Sequence, residues 1–349
     1  MSINTFNKTD IMPYADAEKI QKKYLYLSNK LLDYLQSLKK DPVLSFTKGE
    51  IVYIPDLHGD FVHLIQVLHR HDLLNDKFEL KKDYKYIFLG DFYDRSPDAD
   101  VIDHWLNRQI KNNIEIYRLI GNHELAFFLR DKDGYPTIFP SQDSIKDVSN
   151  QFQITENLLK NIAEGKIIAA FADENTLYVH SYVINDDFFQ LNLEVGSDIN
   201  LFAKKLNERF MLYGEEAYDL YLTLKQINKI NWDLIRGKFE RDPLFNISQR
   251  KDDIHTSFIW RRTGLSKLKM YPLELDIDIP DNVYQVVGHT PVFSFNLPAN
   301  QETRKPFILS SKNGSGKIQF SDVGMGYYYK NDDLERPEVM INKKFAIKV

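Results

Sequence analysis

Short strand-like runs separated by helical patterns are the feature that most limits the fold of this chain. Each run is rich in β-branched or aromatic residues and ends in a polar cluster, which is typical of a strand buried inside a sheet. Five such runs lie at 51–54, 84–89, 114–120, 176–179 and 283–287. The first half of the chain alternates strand and helix in the order βαβαβ, which predicts an α/β fold.

Two further segments, outside this alternation of strands and helices, have apolar residues at the spacing of a helix. Between residues 16 and 40 apolar side chains recur every three or four positions, which predicts an amphipathic helix. A second helical pattern runs from about 200 to 237 without a strand-like run and indicates a helical insertion. The segment 294–317 contains two prolines and the turn sequence Asn-Gly-Ser-Gly, and predicts a loop or hairpin before a last strand at 317–320.

The composition excludes several other classes of protein. The 349 residues include 45 basic and 50 acidic side chains and no cysteine, so any metal must be held by His, Asp, Glu or Asn. A net charge of −5 gives no field that would gather nucleic acid. No apolar stretch approaches the ~20 residues of a membrane span. We therefore expect a soluble protein with neither a nucleic-acid partner nor a membrane span.

Polar side chains of metal-ligand or acid–base type begin the loop after each strand-like run. They are Asp56 and His58, then Asp91, Asp94 and Arg95, then Asn122 and His123, and finally His180 and His289. Ligands of open α/β sheets collect outside the carboxyl ends of the strands, where several loops converge. We therefore expect these five loops to share one site.

The residue types at these positions favour a two-metal centre that hydrolyses phosphoesters. Carboxylate, imidazole and amide oxygen without thiolate suit Mn, Fe, Zn or Mg, and Asp91 could bridge two ions. Two cations about 3.5–4 Å apart lower the pKa of a bridging water and clamp phosphate oxygens during in-line displacement. The Arg95 guanidinium matches phosphate geometry, and His123 could protonate the leaving alkoxide if Asp94 fixes its orientation.

Each of these residues, taken alone, also has an ordinary structural interpretation. Aspartate after a strand commonly caps a helix or shapes a turn. The coincidence of complementary ligand types at five strand ends favours the metal site. The remaining histidines do not follow strand ends, and we interpret them as structural or surface residues: His63, His69, His71, His104 and His255.

Four motifs resemble the signatures of the calcineurin-like metallophosphoesterases. They are Pro-Asp-Leu-His-Gly at 55–59, Gly-Asp-Phe-Tyr-Asp-Arg at 90–95, Gly-Asn-His-Glu at 121–124 and Gly-His-Thr at 288–290. The second and third together resemble the phosphoprotein phosphatase branch more narrowly, and the resemblance spans about residues 51 to 324. It implies a central β-sandwich of mixed sheets flanked by helices, with an N-terminal helix and a helical insertion.

The resemblance implies a ligand set for two divalent ions. Asp56, His58 and Asp91 would hold the first ion, and Asp91, Asn122, His180 and His289 would hold the second. Manganese is the first choice of metal, with iron, zinc or magnesium as alternatives.

The resemblance also implies the residues that act on phosphate. Arg95 and Asn122 would bind the phosphate group, His123 would be the general acid, and Asp94 would pair with His123. A second phosphate-binding arginine is usual in this family, and we expect it at Arg261, within Trp-Arg-Arg at 260–262.

Several positions depart from the family pattern without removing a ligand. Pro55 and Ser96 replace usual glycines, as does Ser181-Tyr182 after His180. Together with the helical insertion these features resemble bacterial members, including the Legionella Wip-type effector phosphatases. That implies a location in the cytoplasm, or secretion into a host cell without a cleaved signal peptide. Because Tyr93 and Tyr182 belong to site motifs, we also expect them to line a substrate cleft.

We therefore predict an N-terminal helical extension at 1–45 and a catalytic domain at 46–349, with its insertion at about 190–255. The predicted activity is that of a phosphoprotein phosphatase, in which a metal-bridging hydroxide attacks phosphoserine, phosphothreonine or phosphotyrosine directly. An alternative keeps the site but hydrolyses dinucleotide polyphosphates or other small phosphoesters. A phosphoprotein-binding module without turnover ranks last, because every expected metal ligand and the expected general acid are present in the sequence. The sequence leaves the oligomeric state open.

Overall fold

Two mixed β-sheets form the centre of the computed structural model. It describes residues 17–37, 47–96, 98–130, 151–246, 257–261, 278–290, 307–311, 315–322 and 342–343. The first sheet has the order β3-β2-β1-β9, with β1 at Ile51–Ile54, β2 at Lys85–Phe88, β3 at Glu115–Arg118 and β9 at Asn342–Lys343. The second has the order β4-β5-β6-β8-β7, with β4 at Ala170–Asp173, β5 at Thr176–Val179, β6 at Tyr284–Val287, β7 at Phe307–Ser310 and β8 at Lys317–Phe320.

Helices flank the two sheets. They are α1 at Ala17–Ser37, α2 at Phe61–Arg70, α3 at Ala99–Lys111, α4 at Asn122–Ala126, α5 at Gln151–Ala163, α6 at Asn185–Gln190, α7 at Ile199–Gln226 and α8 at Trp232–Glu240, with a 3-10 helix at Pro243–Phe245. Helix α1 packs against α2 and α3, and α7 packs against α5, α8 and β4. None of the described helices is long and apolar enough to cross a membrane.

Parallel pairing brings the carboxyl ends of the strands together within each sheet. In the first sheet β1, β2 and β3 are parallel, and Phe88 pairs with Ile54 on one side and Arg118 on the other. In the second sheet β5, β6 and β8 are parallel, and Val287 pairs with Val179 and Phe320. The loops that follow these six strands therefore all begin at carboxyl ends, where the polar residues of the sequence motifs lie.

Apolar side chains from both sheets pack between them and make the fold a sandwich. They are Tyr53, Ile87, Leu89, Leu119, Tyr178, Tyr284 and Val286. On β1 the side chains of Val52 and Ile54, which flank Tyr53, belong instead to the main core. This alternation is expected for a strand buried on both faces. Full burial of each such side chain contributes about 1.5–3 kcal/mol relative to exposure.

The α/β fold and the five strands predicted from the sequence are confirmed, with bounds that differ by at most two residues at an end. Strand β4 was not predicted, and it forms by antiparallel pairing with β5. Strand β7 lies in the segment expected to be a loop or hairpin, and its antiparallel pairing with β8 makes it a hairpin. The turn residues 312–314 and the stretch 294–306 lie outside the described residues. Helices α7 and α8 occupy the predicted insertion.

Candidate metal centre

Asp91 joins the loops that follow β1, β2 and β3. Its backbone carbonyl accepts hydrogen bonds from the amides of Leu57 at 3.0 Å and His58 at 2.7 Å. Its carboxylate Oδ1 accepts one from the amide of His123 at 3.0 Å. Asp91 is also buried and has a left-handed backbone with φ 53°. Three loops thus fix the position of one carboxylate.

Two glycines allow these loops to approach each other closely. Gly90 has φ 101°, and a Cβ on it would lie 2.8 Å from the Cα of Gly121. A Cβ on Gly121 would overlap Asp91 and lie 2.7 Å from the Glu124 carboxylate. Both distances are too short for a side chain, so the glycines of the two motifs are needed for the loops to meet.

The first predicted ligand set converges in the structure. Asp56, His58 and Asp91 offer ligand atoms that all lie within 4.8 Å of one another. The Nδ1 of His58 is 3.0 Å from Asp94 Oδ1, so this nitrogen carries a hydrogen and Nε2 is left to face Asp91 Oδ2 at 3.9 Å. Both carboxylate oxygens of Asp56 accept from the amide of His289 at 3.1 Å.

In the second predicted set, ring nitrogens of two histidines lie close to the side-chain oxygen of Asn122. His180 Nδ1 donates to the carbonyl of Leu89 at 2.8 Å, so in the neutral ring the lone pair of Nε2 points at Asn122 Oδ1, 2.8 Å away. His289 Nε2 is 3.3 Å from the carbonyl of Trp260, and its Nδ1 is 2.8 Å from the same Asn122 oxygen. His180 Nε2 also lies 3.4 Å from Asp91 Oδ1.

In the neutral rings these lone pairs repel one another, and a cation bound by all of them would remove that repulsion. Nitrogen, amide oxygen and carboxylate oxygen form the donor set that Mn, Fe, Zn and Mg accept. Histidine ligands of metals characteristically donate their other nitrogen to a carbonyl or carboxylate, as His180 does to Leu89 and His58 does to Asp94. The residues present therefore fit two divalent ions that share Asp91.

The electrostatics of the buried acids also favour bound cations. Burial and the neighbouring carboxylate of Asp322 raise the pKa of Asp56 well above its usual value. Burial and the charge of Asp56 do the same to the pKa of Asp91. Burial and the charge of Arg95 hold the pKa of His58 well below the usual histidine value. A cation among these groups stabilises ionised carboxylates and a neutral imidazole.

Asp94 orients His123 toward the Asp91 carboxylate. Its Oδ2 lies 2.5 Å from His123 Nδ1, and the opposite ring nitrogen Nε2 lies 3.6 Å from Asp91 Oδ2. Burial alone would raise the pKa of Asp94, but the adjacent His123 and His58 outweigh it and hold that pKa well below its usual value. Asp94 is therefore ionised, and His123 presents Nε2 to the centre of the site.

Arg95 lies at the edge of this cluster. Its side chain is 29% exposed, and its Nε is 3.9 Å from Asp94 Oδ1. Its charge acts on both Asp56 and His58. A guanidinium at this edge can reach both the buried acids and an incoming anion.

Arg261 is placed in a buried ion pair rather than at an open edge. Its two terminal nitrogens lie 2.6 and 3.1 Å from the oxygens of Asp187, and one also donates to the carbonyl of Tyr182 at 3.0 Å. Asp187 thus occupies the forked face that a phosphate would use. The phosphate-binding role of Arg261 stays a prediction, and it requires this pair to open.

The expectation that Tyr93 and Tyr182 line a substrate cleft is wrong, because both side chains are completely buried. The Tyr93 hydroxyl lies 3.5 Å from Asp103 and 3.5 Å from the Arg118 guanidinium, beneath the site loop. Their motif positions gave no information on which way the rings turn.

Two buried acids of the site had no role assigned from the sequence. The carboxylate of Glu124 contacts the Asp91 loop, and Asp322 lies next to the end of β8 and acts on Asp56. A glutamate at the third position of a helix, as in Gly-Asn-His-Glu, is a capping-box signal that could have identified Glu124. Of the other histidines, His63, His71 and His104 are buried and His69 is half-buried, whereas His255 lies outside the described residues.

A family model described as calcineurin-like phosphoesterase matches residues 49–335. A zinc-dependent endopolyphosphatase of Saccharomyces cerevisiae is 31% identical over 101 residues, which are 28% of this chain and 28% of that protein. The chain thus matches well under two thirds of that relative's length.

Solved phosphatase structures are also similar to the chain. The cold-active protein-tyrosine phosphatase of a psychrophilic Shewanella is 15% identical, with a TM-score of 0.46, over 83% of this chain and 75% of that one. A protein serine/threonine phosphatase from Saccharomyces cerevisiae is 11% identical, with a TM-score of 0.38, over 86% of this chain and 77% of that one.

Proposed function

The chain belongs to the calcineurin-like phosphoesterase family, and on that premise we propose that it is a metal-dependent protein phosphatase. It would hydrolyse phosphomonoesters of serine, threonine or tyrosine. The observation that carries the proposal is the arrangement around Asp91. Its carboxylate lies 3.4 Å from His180 Nε2 on one side and 3.6 Å from His123 Nε2 on the other, among buried ligand atoms.

We propose two ion sites that share one ligand. Asp56, His58 and Asp91 would hold one divalent ion, and Asp91, Asn122, His180 and His289 would hold the other. When bound, two such ions supply Lewis acidity that lowers the pKa of water and offsets the charge that develops on phosphate. Manganese is the proposed metal, because carboxylate, imidazole and amide oxygen suit it.

Other side chains would act on the substrate directly. Arg95 binds the phosphate oxygens from the edge of the site, where its charge adds to that of the ions. Asn122 reaches the phosphate from the opposite loop. The ionised Asp94 keeps the hydrogen of His123 on Nδ1, so that protonated Nε2 can give its proton to the leaving oxygen.

The choice of a protein substrate is supported by the paired motifs Gly-Asp-Phe-Tyr-Asp-Arg and Gly-Asn-His-Glu, which resemble the phosphoprotein phosphatase branch. A second candidate, hydrolysis of dinucleotide polyphosphates or other small phosphate compounds, gains support from the partial match to an endopolyphosphatase. The resemblance to bacterial effector phosphatases and the predicted location stay expectations from the sequence.

The test is phosphate release by the full chain after chelation and reloading with Mn²⁺. Phosphoserine, phosphothreonine and phosphotyrosine peptides would be compared with diadenosine tetraphosphate and inorganic polyphosphate. We expect release from peptides that needs the metal and is lost in Asp91→Asn. A protein that cleaves only the nucleotide or polyphosphate would overturn the protein-phosphatase proposal in favour of the second candidate.

The matched control is Asp242→Asn. Asp242 is also a buried, hydrogen-bonded aspartate, but it contacts Arg209 and Tyr213 in the helical insertion. This variant should retain metal-dependent release. If both variants lose activity, the loss in Asp91→Asn reflects damaged folding rather than the removal of a metal ligand.

A further inference from the structure

Glu124 is a fully buried acid whose carboxylate is surrounded by backbone amides. Its Oε2 accepts from the amides of Asp91 and Gly121, both at 2.8 Å. Its Oε1 accepts from the amides of Phe92 at 2.7 Å and Tyr93 at 3.4 Å. Three of these hydrogen bonds tie the carboxylate to the loop after β2, and the fourth joins it to Gly121 at the start of α4.

The three consecutive amides of residues 91–93 point to one place because Asp91 has a left-handed backbone. Successive amides in such a turn form a concavity that binds anions. In this chain the anion is the protein's own glutamate. The Glu124 carboxylate therefore accepts from the backbone amide of Asp91, while the amides of Leu57 and His58 donate to its backbone carbonyl.

We propose that Glu124 is a positioning residue that sets the direction of the Asp91 carboxylate and so allows two ions to bind together. The proposal rests on the metal site proposed above and not on the choice of substrate. Asp91 is the ligand that the two sets share. If it turns away, the second set keeps Asn122, His180 and His289, whereas the first keeps only Asp56 and His58. The first ion should therefore be lost preferentially.

Glu124→Gln tests the role with little change of shape. A glutamine has one acceptor oxygen, so its NH₂ group must face one pair of amide donors that the carboxylate now accepts from. The Asp91 loop should lose one or two of its three hydrogen bonds to this side chain, depending on which oxygen the NH₂ group replaces. Glu124→Asp keeps both oxygens and the charge on a shorter side chain, and provides a milder second variant.

Asp242→Asn is the matched control for a general loss of stability. Asp242 is a buried acid that accepts from Arg209 at 2.6 Å, Tyr213 at 2.9 Å and the amide of Leu244 at 3.0 Å. None of these partners belongs to the predicted ligand sets. The variant should unfold more easily without disturbing Asp91.

The experiment measures Mn²⁺ binding to the chelator-stripped full chain, well below its unfolding temperature, from the paramagnetic resonance signal of free Mn²⁺. Wild type and Asp242→Asn should bind two ions per chain. Glu124→Gln should bind the first ion about 10- to 100-fold more weakly, the usual effect of removing an outer partner of a metal ligand, and should weaken the second ion less because three of its four ligands remain. Glu124→Asp should show a smaller weakening of the first ion.

Other results would overturn the proposal. Binding of both ions by Glu124→Gln with wild-type affinity would show that Asp91 needs no such support. Equal weakening in Asp242→Asn would show that the effect is global. If Glu124→Gln does not fold, unchanged binding by Glu124→Asp has the same meaning. If wild type itself binds no Mn²⁺, the metal site falls together with this inference, whereas failure confined to the Glu124 variants leaves the site intact.

Discussion

Asp94 shows how one residue can serve two parts of the site. One of its carboxylate oxygens binds the ring of His58, a predicted metal ligand, and the other binds the ring of His123, the predicted acid. Both histidine rings are thereby oriented by a single ionised group. Metal binding and proton transfer are expected to depend on the same carboxylate.

The role of His123 predicts a dependence on the leaving group. His123→Ala should reduce kcat on a phosphoserine peptide by about 10²- to 10⁴-fold, because an alkoxide needs a proton to leave. The loss on 4-nitrophenyl phosphate should be much smaller, because nitrophenolate leaves without one. Steady-state kinetics on both substrates measure this difference, and equal losses would remove His123 from the acid role.

A second residue-scale prediction concerns the buried ion pair beneath the site loop. Arg118 Nη2 lies 2.5 Å from Asp103 Oδ1, and both side chains are buried. Asp103→Asn removes the charge that compensates Arg118, so the free energy of unfolding should fall by about 3 kcal/mol. Urea-induced unfolding of wild type and the variant measures this change in the free energy of unfolding.

Asp219→Asn, at an exposed position of α7, is the control and should change stability by no more than about 0.5 kcal/mol. If the two variants unfold at the same urea concentration, the buried pair does not stabilise the fold as argued.

At the scale of elements, the strands that the sequence predicted are those whose own residues favour burial. The runs at Ile51–Ile54 and Thr176–Val179 are apolar enough to be recognised without knowledge of their neighbours. Strand β4, Ala170–Asp173, has weak strand preference and is specified by its pairing with β5. Pairing depends on residues distant in sequence, so a local pattern could not predict it.

Helix α8, in the segment predicted to be a helical insertion, gives an element-scale prediction. Asn231 caps α8, and its side chain accepts from the amides of Asp233 at 3.0 Å and Leu234 at 3.2 Å. Asn231→Ala should lower the free energy of unfolding by about 1 kcal/mol. Asn231→Asp keeps the acceptor and should be near neutral. Thermal unfolding of both variants checks this, and an equal loss in both would contradict the capping role.

At the scale of the whole molecule, two sheets and their crossover loops bring together residues that are distant in sequence, such as Asp56 and His289, which are 233 positions apart. The clustering could be predicted because carboxyl ends of parallel strands share an edge. The pairing of Arg261 with Asp187 and the burial of Tyr93 could not, because they depend on how loops pack after the sheets form. Sequence motifs identified which residues meet, and tertiary packing decided which way their side chains turn.

The central claim is that these loops form one two-metal phosphoesterase centre built around Asp91. The most direct test measures bound metal and hydrolysis of 4-nitrophenyl phosphate on the same samples, for wild type and Asp91→Asn, before and after chelation. We predict two ions per wild-type chain and hydrolysis that disappears on chelation and returns with Mn²⁺. Asp91→Asn should reduce the rate of hydrolysis by more than about 100-fold, which exceeds the usual effect of substituting a residue that only contacts a metal ligand. Undiminished hydrolysis by the chelated protein, or by Asp91→Asn, would contradict the claim.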